Sequence, residues 1–201
     1  MASEIEICNI ALSRLGVSRS INALTEQSKE AGACSLHYEP ARDAVLSDFP
    51  WNFATKRVAL ADLNSAPADW QYAYRYPTDC MRLIEIMTPG TRTPTARQRI
   101  EYVTGSDADG AGKLIYTDQP SAWLKYVGSV TDTNMFDAIF RDALAWRMAG
   151  EMAMQLTGNA NLGQFALQMY AQVIASAASR SMEENQEAQP PIDPFTAARL
   201  S

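Results

Sequence analysis

The period of the apolar residues changes twice along this chain, and that change constrains the fold more than any single motif. Up to Phe49 apolar positions recur at spacings of three and four; from Trp51 to about Val130 they recur at every second residue; from Asn134 the helical spacing returns. Residues three and four apart share one face of a helix, whereas alternate residues share one face of a strand. A chain that switches from one period to the other and back is α+β, with strands inserted between two helical stretches. The sequence therefore predicts an antiparallel bundle of about four helices, an inserted small antiparallel β-sandwich and an extended C-terminal tail. The boundaries read as residues 1–50 for the first half of the bundle, 51–131 for the β-rich insertion, 132–184 for the second half and 185–201 for the tail.

Local signals refine this outline. Ser3 and Glu6 have the spacing of a capping box, so a helix is expected from about Glu4, with Ile5, Cys8, Leu12 and Leu15 on its apolar stripe and Gly16 ending it. Ile21 and Leu24 are expected to tuck under the bundle. Ala31, Cys34, Tyr38, Ala41 and Val45 form the stripe of a second helix from about Ser28 to Phe49, with Arg42 and Asp43 off the stripe. Pro40 inside it predicts a kink or a local break. Pro50 then turns the chain into Trp51-Asn52-Phe53-Ala54, an aromatic corner expected where the bundle meets the β region.

Strands are expected over Thr55–Leu60, Trp70–Tyr76, Met81–Met87, Arg99–Val103, Lys113–Thr117 and Trp123–Val130, punctuated by prolines. Thr88 to Gln98 reads as an exposed loop. A third helix is expected from Asn134, with Phe140 and Trp146 on two different apolar faces, which predicts burial between neighbours. The fourth runs from about Asn161, with Leu162, Phe165, Met169, Val173 and Ala177 toward the core and a small-residue face at Ala171, Ala175 and Ala178. Tyr38, Trp51, Phe53, Phe140 and Trp146 are the candidate structural core. After Met182 the composition turns polar through Pro191 and cannot build a core. Ile192, Phe195, Arg199 and Leu200 follow it, so the tail reads as a tether with an apolar grip that binds a partner.

At 201 residues and 47% apolar content the chain can bury a real core. No run of about 18 apolar residues is present to span a bilayer, and Met1-Ala2-Ser3-Glu4 lacks the features of a signal peptide, so no membrane contact is expected. Cys8, Cys34 and Cys80 read as buried free thiols. The net charge of −6 argues against a surface built to grip duplex DNA. The basic residues Arg75, Arg82, Arg92, Arg97 and Arg99 are diluted by Asp79, Glu85 and Glu101 and read as a solvated or subunit-facing surface.

Catalytic chemistry finds little support. The single histidine, His37, sits in a helical pattern with no nucleophile elbow or oxyanion-hole motif. Asp107, Asp109, Gly112 and Asp118 echo a calcium loop, but Ala111 stands where an oxygen ligand is needed, and a glycine-rich hairpin turn fits Ser106 to Gly112 better. The carboxylates Glu4 with Glu6, and Glu30 with Glu39, are the pairs through which a peptidoglycan hydrolase would act, the alternative to a structural role. No cofactor or metal ligand set is expected.

Taken together, these residues resemble the tail tubular protein A-like adaptors of short-tailed phages. The matching pieces are Asn9-Ile10-Ala11-Leu12 with Leu15-Gly16, then Ile21, Leu24, Ala31, Cys34, Tyr38, Arg42-Asp43, Leu46 and Trp51-Asn52-Phe53-Ala54. A later block adds Tyr76-Pro77 with Asp79, Tyr116-Thr117-Asp118, Tyr126-Val127, Phe136 with Phe140, Ala143, Ala145, Met148-Ala149 and Leu156-Thr157, so the likeness covers about residues 5 to 180 in order. The resemblance implies a non-enzymatic virion protein at the head-tail junction, made in the host cytoplasm. It implies a homo-oligomeric ring, commonly of twelve copies, between the portal protein and a tail nozzle or tail tube protein. DNA would pass through such a ring without sequence-specific binding, and an acidic chain suits a lumen that repels phosphates.

Overall fold

The computed structural model describes residues 3–90, 99–107, 110 and 112–184. Ser3 caps the first helix, α1 (Glu4–Arg14), by accepting a hydrogen bond from the Glu6 amide at 3.1 Å, and Gly16 closes it at φ 71°. Its inward stripe is Ile7, Cys8, Ala11 and Leu12; Ile5 lies at the edge of that stripe, half-buried, because Ile7 rather than Ile5 points at the core. The second helix, α2 (Lys29–Asp48), starts under a Ser28 cap and runs through Pro40 without a break, with the proline on its exposed side. Arg42, expected off the apolar stripe, is only 7% exposed, its charge held by Asp43 at 2.9 Å.

The six strands β1 (Thr55–Ala59), β2 (Tyr72–Arg75), β3 (Cys80–Met87), β4 (Tyr102–Ser106), β5 (Lys113–Thr117) and β6 (Trp123–Gly128) form two antiparallel sheets, ordered β1-β6-β3 and β2-β5-β4. Tyr74 and Ile115 from one sheet pack with Ile86, Leu124 and Tyr126 from the other, giving a small sandwich core. On β6 the next residue, Val127, points the opposite way and joins the helical core, so this sheet is apolar on both sides. β4 starts three residues later than its alternation suggested. The pairing of Tyr102 with Thr117 fixes that register, and β2 also buries Ala73, not only its tyrosine face.

The third helix, α3 (Ala138–Thr157), begins four residues after Asn134. Asn134 instead sits in a 3-10 turn, Thr133–Met135, whose amide Asp132 accepts. The fourth helix, α4 (Ala160–Glu184), is capped by Asn159, which accepts from the amides of Asn161 and Leu162. Gly163, Ala166, Tyr170 and Ala177 are buried, and Leu162 and Val173 pack beside them, while Phe165 is 51% exposed, so the stripe keeps Leu162, Val173 and Ala177 of the expected one and is rotated away from Phe165. Two glycines cause the rotation by letting the helices touch. A Cβ on Gly163 would lie 3.2 Å from the carbonyl oxygen of Gly150 and from the Cβ of Ala153. Gly163→Leu is expected to destabilise the chain by about 2–3 kcal/mol, the upper range for overpacking a tight contact. Gly150→Ala should cost much less, because what its Cβ meets is the end of the flexible, part-exposed Leu167 side chain. Urea unfolding of both variants checks this contrast, and equal losses would refute it.

Helix α3 is the hub. It packs along α4, α2 and α1, whereas α1 and α2 share a smaller contact that includes Cys8 and Cys34. The five aromatics Phe49, Trp51, Phe53, Phe136 and Phe140 close the junction between bundle and β unit, with Trp51 and Phe140 edge to face at 5.1 Å.

Candidate interaction surfaces

Each candidate core residue has a definite place. Tyr38, Trp51 and Phe140 are buried; Phe53 is half-buried, tilted against Phe136 and edge to face with Phe140; Trp146 is half-buried, with the Arg14 guanidinium over its ring at 4.1 Å and Phe165 in a T-shaped contact at 6.1 Å. The Trp51 indole donates to the Val45 carbonyl at 2.8 Å, tying the corner back to α2. Tyr38 is buried with its hydroxyl unpartnered, and burial pushes its phenol up from the ordinary value. Ile192, Phe195, Arg199 and Leu200, the expected grip, lie outside the described residues, as do the loop residues Arg92 and Arg97 and the turn residue Asp109.

The groups weighed for chemistry are dispersed or engaged. His37 Nδ1 lies 3.4 Å from Glu151, which also accepts from Arg147 at 2.7 Å. Asp48 extends this network, accepting from the Tyr170 hydroxyl at 2.6 Å with Arg147 at 4.0 Å, and burial followed by that carboxylate raises the Tyr170 phenol. Glu4 and Glu6 are two residues apart on α1 and diverge; Glu30 and Glu39 are nine apart on α2 and fall on opposite sides of it. Glu30 faces Arg19 at 3.9 Å. Asp118 accepts from the Gln71 amide at 3.0 Å, and Asp107 forms the hairpin turn with Gly110 and Gly112. Among the described residues no cluster of histidine, cysteine and acidic side chains is grouped to hold a metal ion. Cys8 and Cys34 are buried side by side, and Cys80 is half-buried; all three are free thiols.

Two side chains matter more than the sequence pattern indicated. Asn9 clasps the connection after α1: its amide nitrogen donates to the Ile21 carbonyl at 2.9 Å and its oxygen accepts from the Ile21 amide at 2.8 Å. Arg82, read as part of a solvated or subunit-facing surface, reaches from β3 to the last carbonyls of α2, those of Ser47 and Asp48. It binds the β unit to the bundle by satisfying a helix end. Neither role leaves a periodic trace, since each depends on one partner distant in sequence.

Surface chemistry divides along the same line as the fold. Residues 51–131 carry nine basic and eight acidic side chains, the rest of the chain eight basic and fifteen acidic, so the acidity belongs to the helical segments and the tail. Exposed large apolar side chains occur on the helices, among them Leu36 at 63%, Met154 at 65%, Phe165 and Leu167, and also at Val103 and Trp123 on the strands. Among the described residues no helix is long and apolar enough to cross a membrane. The sequence matches no protein-family model, and no curated protein matches it.

One ion pair in the β unit gives a pH signature. Lys56 donates to Asp79 at 2.7 Å and Tyr126 donates at 3.0 Å; the Lys56 bond is the larger cause holding the Asp79 carboxyl below 3.8, and burial with the Asp79 bond pushes the Tyr126 phenol up to about 12. A carboxyl with a depressed folded pKa stabilises the fold above its unfolded pKa and loses that contribution as pH falls through the folded value. Both side chains are over a third exposed, so the pair is worth about 0.2–1 kcal/mol. Lys56→Met should lower the melting temperature slightly at pH 6 and not at pH 2; a deficit that persists unchanged at pH 2 would assign the loss to packing.

Proposed function

We propose that the chain is a structural virion protein, a subunit of the adaptor ring that joins the portal to the tail of a phage and surrounds the DNA exit channel. The observation that carries this reading is where the residues of the family resemblance lie. Asn9 and Ile21 make the clasp after α1; Trp51, Phe53, Phe136 and Phe140 make the junction of bundle and β unit; Ala143, Met148 and Ala149 line the hub helix. The likeness thus falls on residues that hold this architecture together, which supports carrying the family's adaptor role to this chain.

Charge and surface agree with that role. An acidic bundle beside DNA repels phosphates and lets the duplex slide, and exposed apolar side chains on helices are what a subunit presents to partners. In this reading the body forms the ring wall, commonly in twelve copies. Ile192, Phe195, Arg199 and Leu200 grip the portal or a neighbour, and a tail nozzle or tail tube protein takes the far side. The protein acts at the head-tail junction of the virion after assembly in the host cytoplasm. Electron microscopy of the protein mixed with the portal from the same phage tests it. A ring of added density on the narrow end of the portal is expected. Isolated monomers beside bare portals at saturating concentration would overturn the proposal, as would loss of turbidity when the protein is added to purified peptidoglycan.

A further inference from the structure

The two sheets end in edge strands, and most of these edges are protected against further pairing. Strand β2 is covered by the chain after β1, where Asp62 bridges to Tyr74 and the Leu63 amide donates to the Ala73 carbonyl at 2.9 Å. Strand β3 is interrupted by register shifts at Cys80–Arg82 and Leu83–Glu85, and β1 carries Lys56 and Arg57. Covers, bulges and charges of this kind stop a sheet from pairing with other chains. Strand β4, Tyr102-Val103-Thr104-Gly105-Ser106, has none of them. It holds no charged residue and no proline, keeps an unbroken register with β5, and among the described residues pairs with no second strand. Val103 on it is 47% exposed.

The backbone says what such an edge takes, and the sequence says from where. The Asp107 amide donates to the Gly112 carbonyl at 2.9 Å, so alternation along the antiparallel pair turns the amides and carbonyls of Gly105 and Val103 toward β5 and those of Tyr102 and Thr104 outward. The segment is also complementary to its own reverse, because Arg99 and Asp107 lie four residues to either side of Val103. We propose that β4 is a self-association edge at which two copies of the chain pair antiparallel about Val103, joining two three-stranded sheets into one. Each Tyr102 then exchanges backbone hydrogen bonds with the second copy's Thr104. Val103 meets Val103 at a non-hydrogen-bonded position, where side chains are closest, and each Arg99 lies opposite the second copy's Asp107 on the same face. The neighbouring registers that keep the backbone bonds are worse: centring on Thr104 sets Glu101 against Asp107, and centring on Tyr102 sets Val103 against Glu101. A two-fold contact closes on two copies and is separate from the rotation that builds a ring, so the pairing stands or falls independently of the adaptor reading.

Sedimentation of the full chain over a range of concentrations, at low ionic strength and without portal, tests the pairing. The unaltered chain is expected to show a monomer–dimer equilibrium. Val103→Lys, which changes an exposed side chain and should leave the melt unaltered, is expected to weaken the dimer by about ten-fold by setting like charges opposite each other at the two-fold. Arg99→Asp alone and Asp107→Arg alone should each weaken it as well, and the double variant Arg99→Asp with Asp107→Arg should restore it. A chain that stays monomeric at every concentration reached would overturn the proposal. So would a dimer that Val103→Lys leaves intact, which would place the contact on another surface, or a double variant that associates no more tightly than the single ones, which would refute the register.

Discussion

A peptide of residues 1–50 is expected to be unfolded in water, although it contains two complete helices with good N-terminal caps. The helix α1 has 11 residues, below the length at which even strong helix formers hold alone, and α2 carries Pro40, which removes one of its backbone hydrogen bonds. Their buried stripes meet at Cys8 and Cys34, but that contact is small beside what α3 covers. Both stripes share a core cluster with Phe140, Leu144, Met148 and Met152 of α3, which also holds each helix through Arg14 on Asp142 and His37 beside Glu151, and the corner at Trp51 is covered by Phe140. Without residues 132–184 the peptide leaves Ile7, Leu12, Tyr38, Val45 and Leu46 in water, an apolar area whose burial is the main force for folding. Circular dichroism should show little helix and no sigmoidal melt. A cooperatively melting fragment would show that the first half of the bundle folds without the second.

The single substitution with the largest expected effect is Trp51→Ala, at about 3–5 kcal/mol. Trp51 is 3% exposed, its indole donates to Val45, and its ring meets Phe49, Phe53 and Phe140. Truncation removes the ring contacts and leaves a cavity among side chains that other contacts hold in place, so little collapse can offset the loss. Domains of this size are stable by about 5–15 kcal/mol, so the variant loses a large fraction of its stability. Urea unfolding gives the number; a change below about 1 kcal/mol would mean that the corner repacks freely. Trp51→Phe should recover much of the loss, because it restores an aromatic ring and gives up only the bond to Val45 and the remaining part of the indole's volume.

The elements were legible where periodicity is strong. The cap at Ser3, the start of α2 near Ser28, the stripe through Ala31, Cys34 and Tyr38, and five of the six strands lie close to where periodicity and turn residues put them. What stayed hidden depends on partners distant in sequence. The face of α4 was read only in part: Leu162, Val173 and Ala177 do pack on the core, but the close Gly150–Gly163 approach also turns Ala166 and Tyr170 inward and leaves Phe165 exposed. Arg42 and Arg82 look like surface charges in a linear sequence; one is buried beside Asp43 and the other caps α2.

The two ends of the β unit leave and rejoin the bundle side by side, because Thr55 at the start of β1 pairs with Val127 near the end of β6. A module attached by two adjacent strands, over one aromatic seal, behaves like an interchangeable cartridge. Loops such as the Asp107–Gly112 hairpin can lengthen, shorten or change character without disturbing how the four helices meet. The helical scaffold is then free to be kept while the surface carried on the cartridge is rewritten to suit a different neighbour.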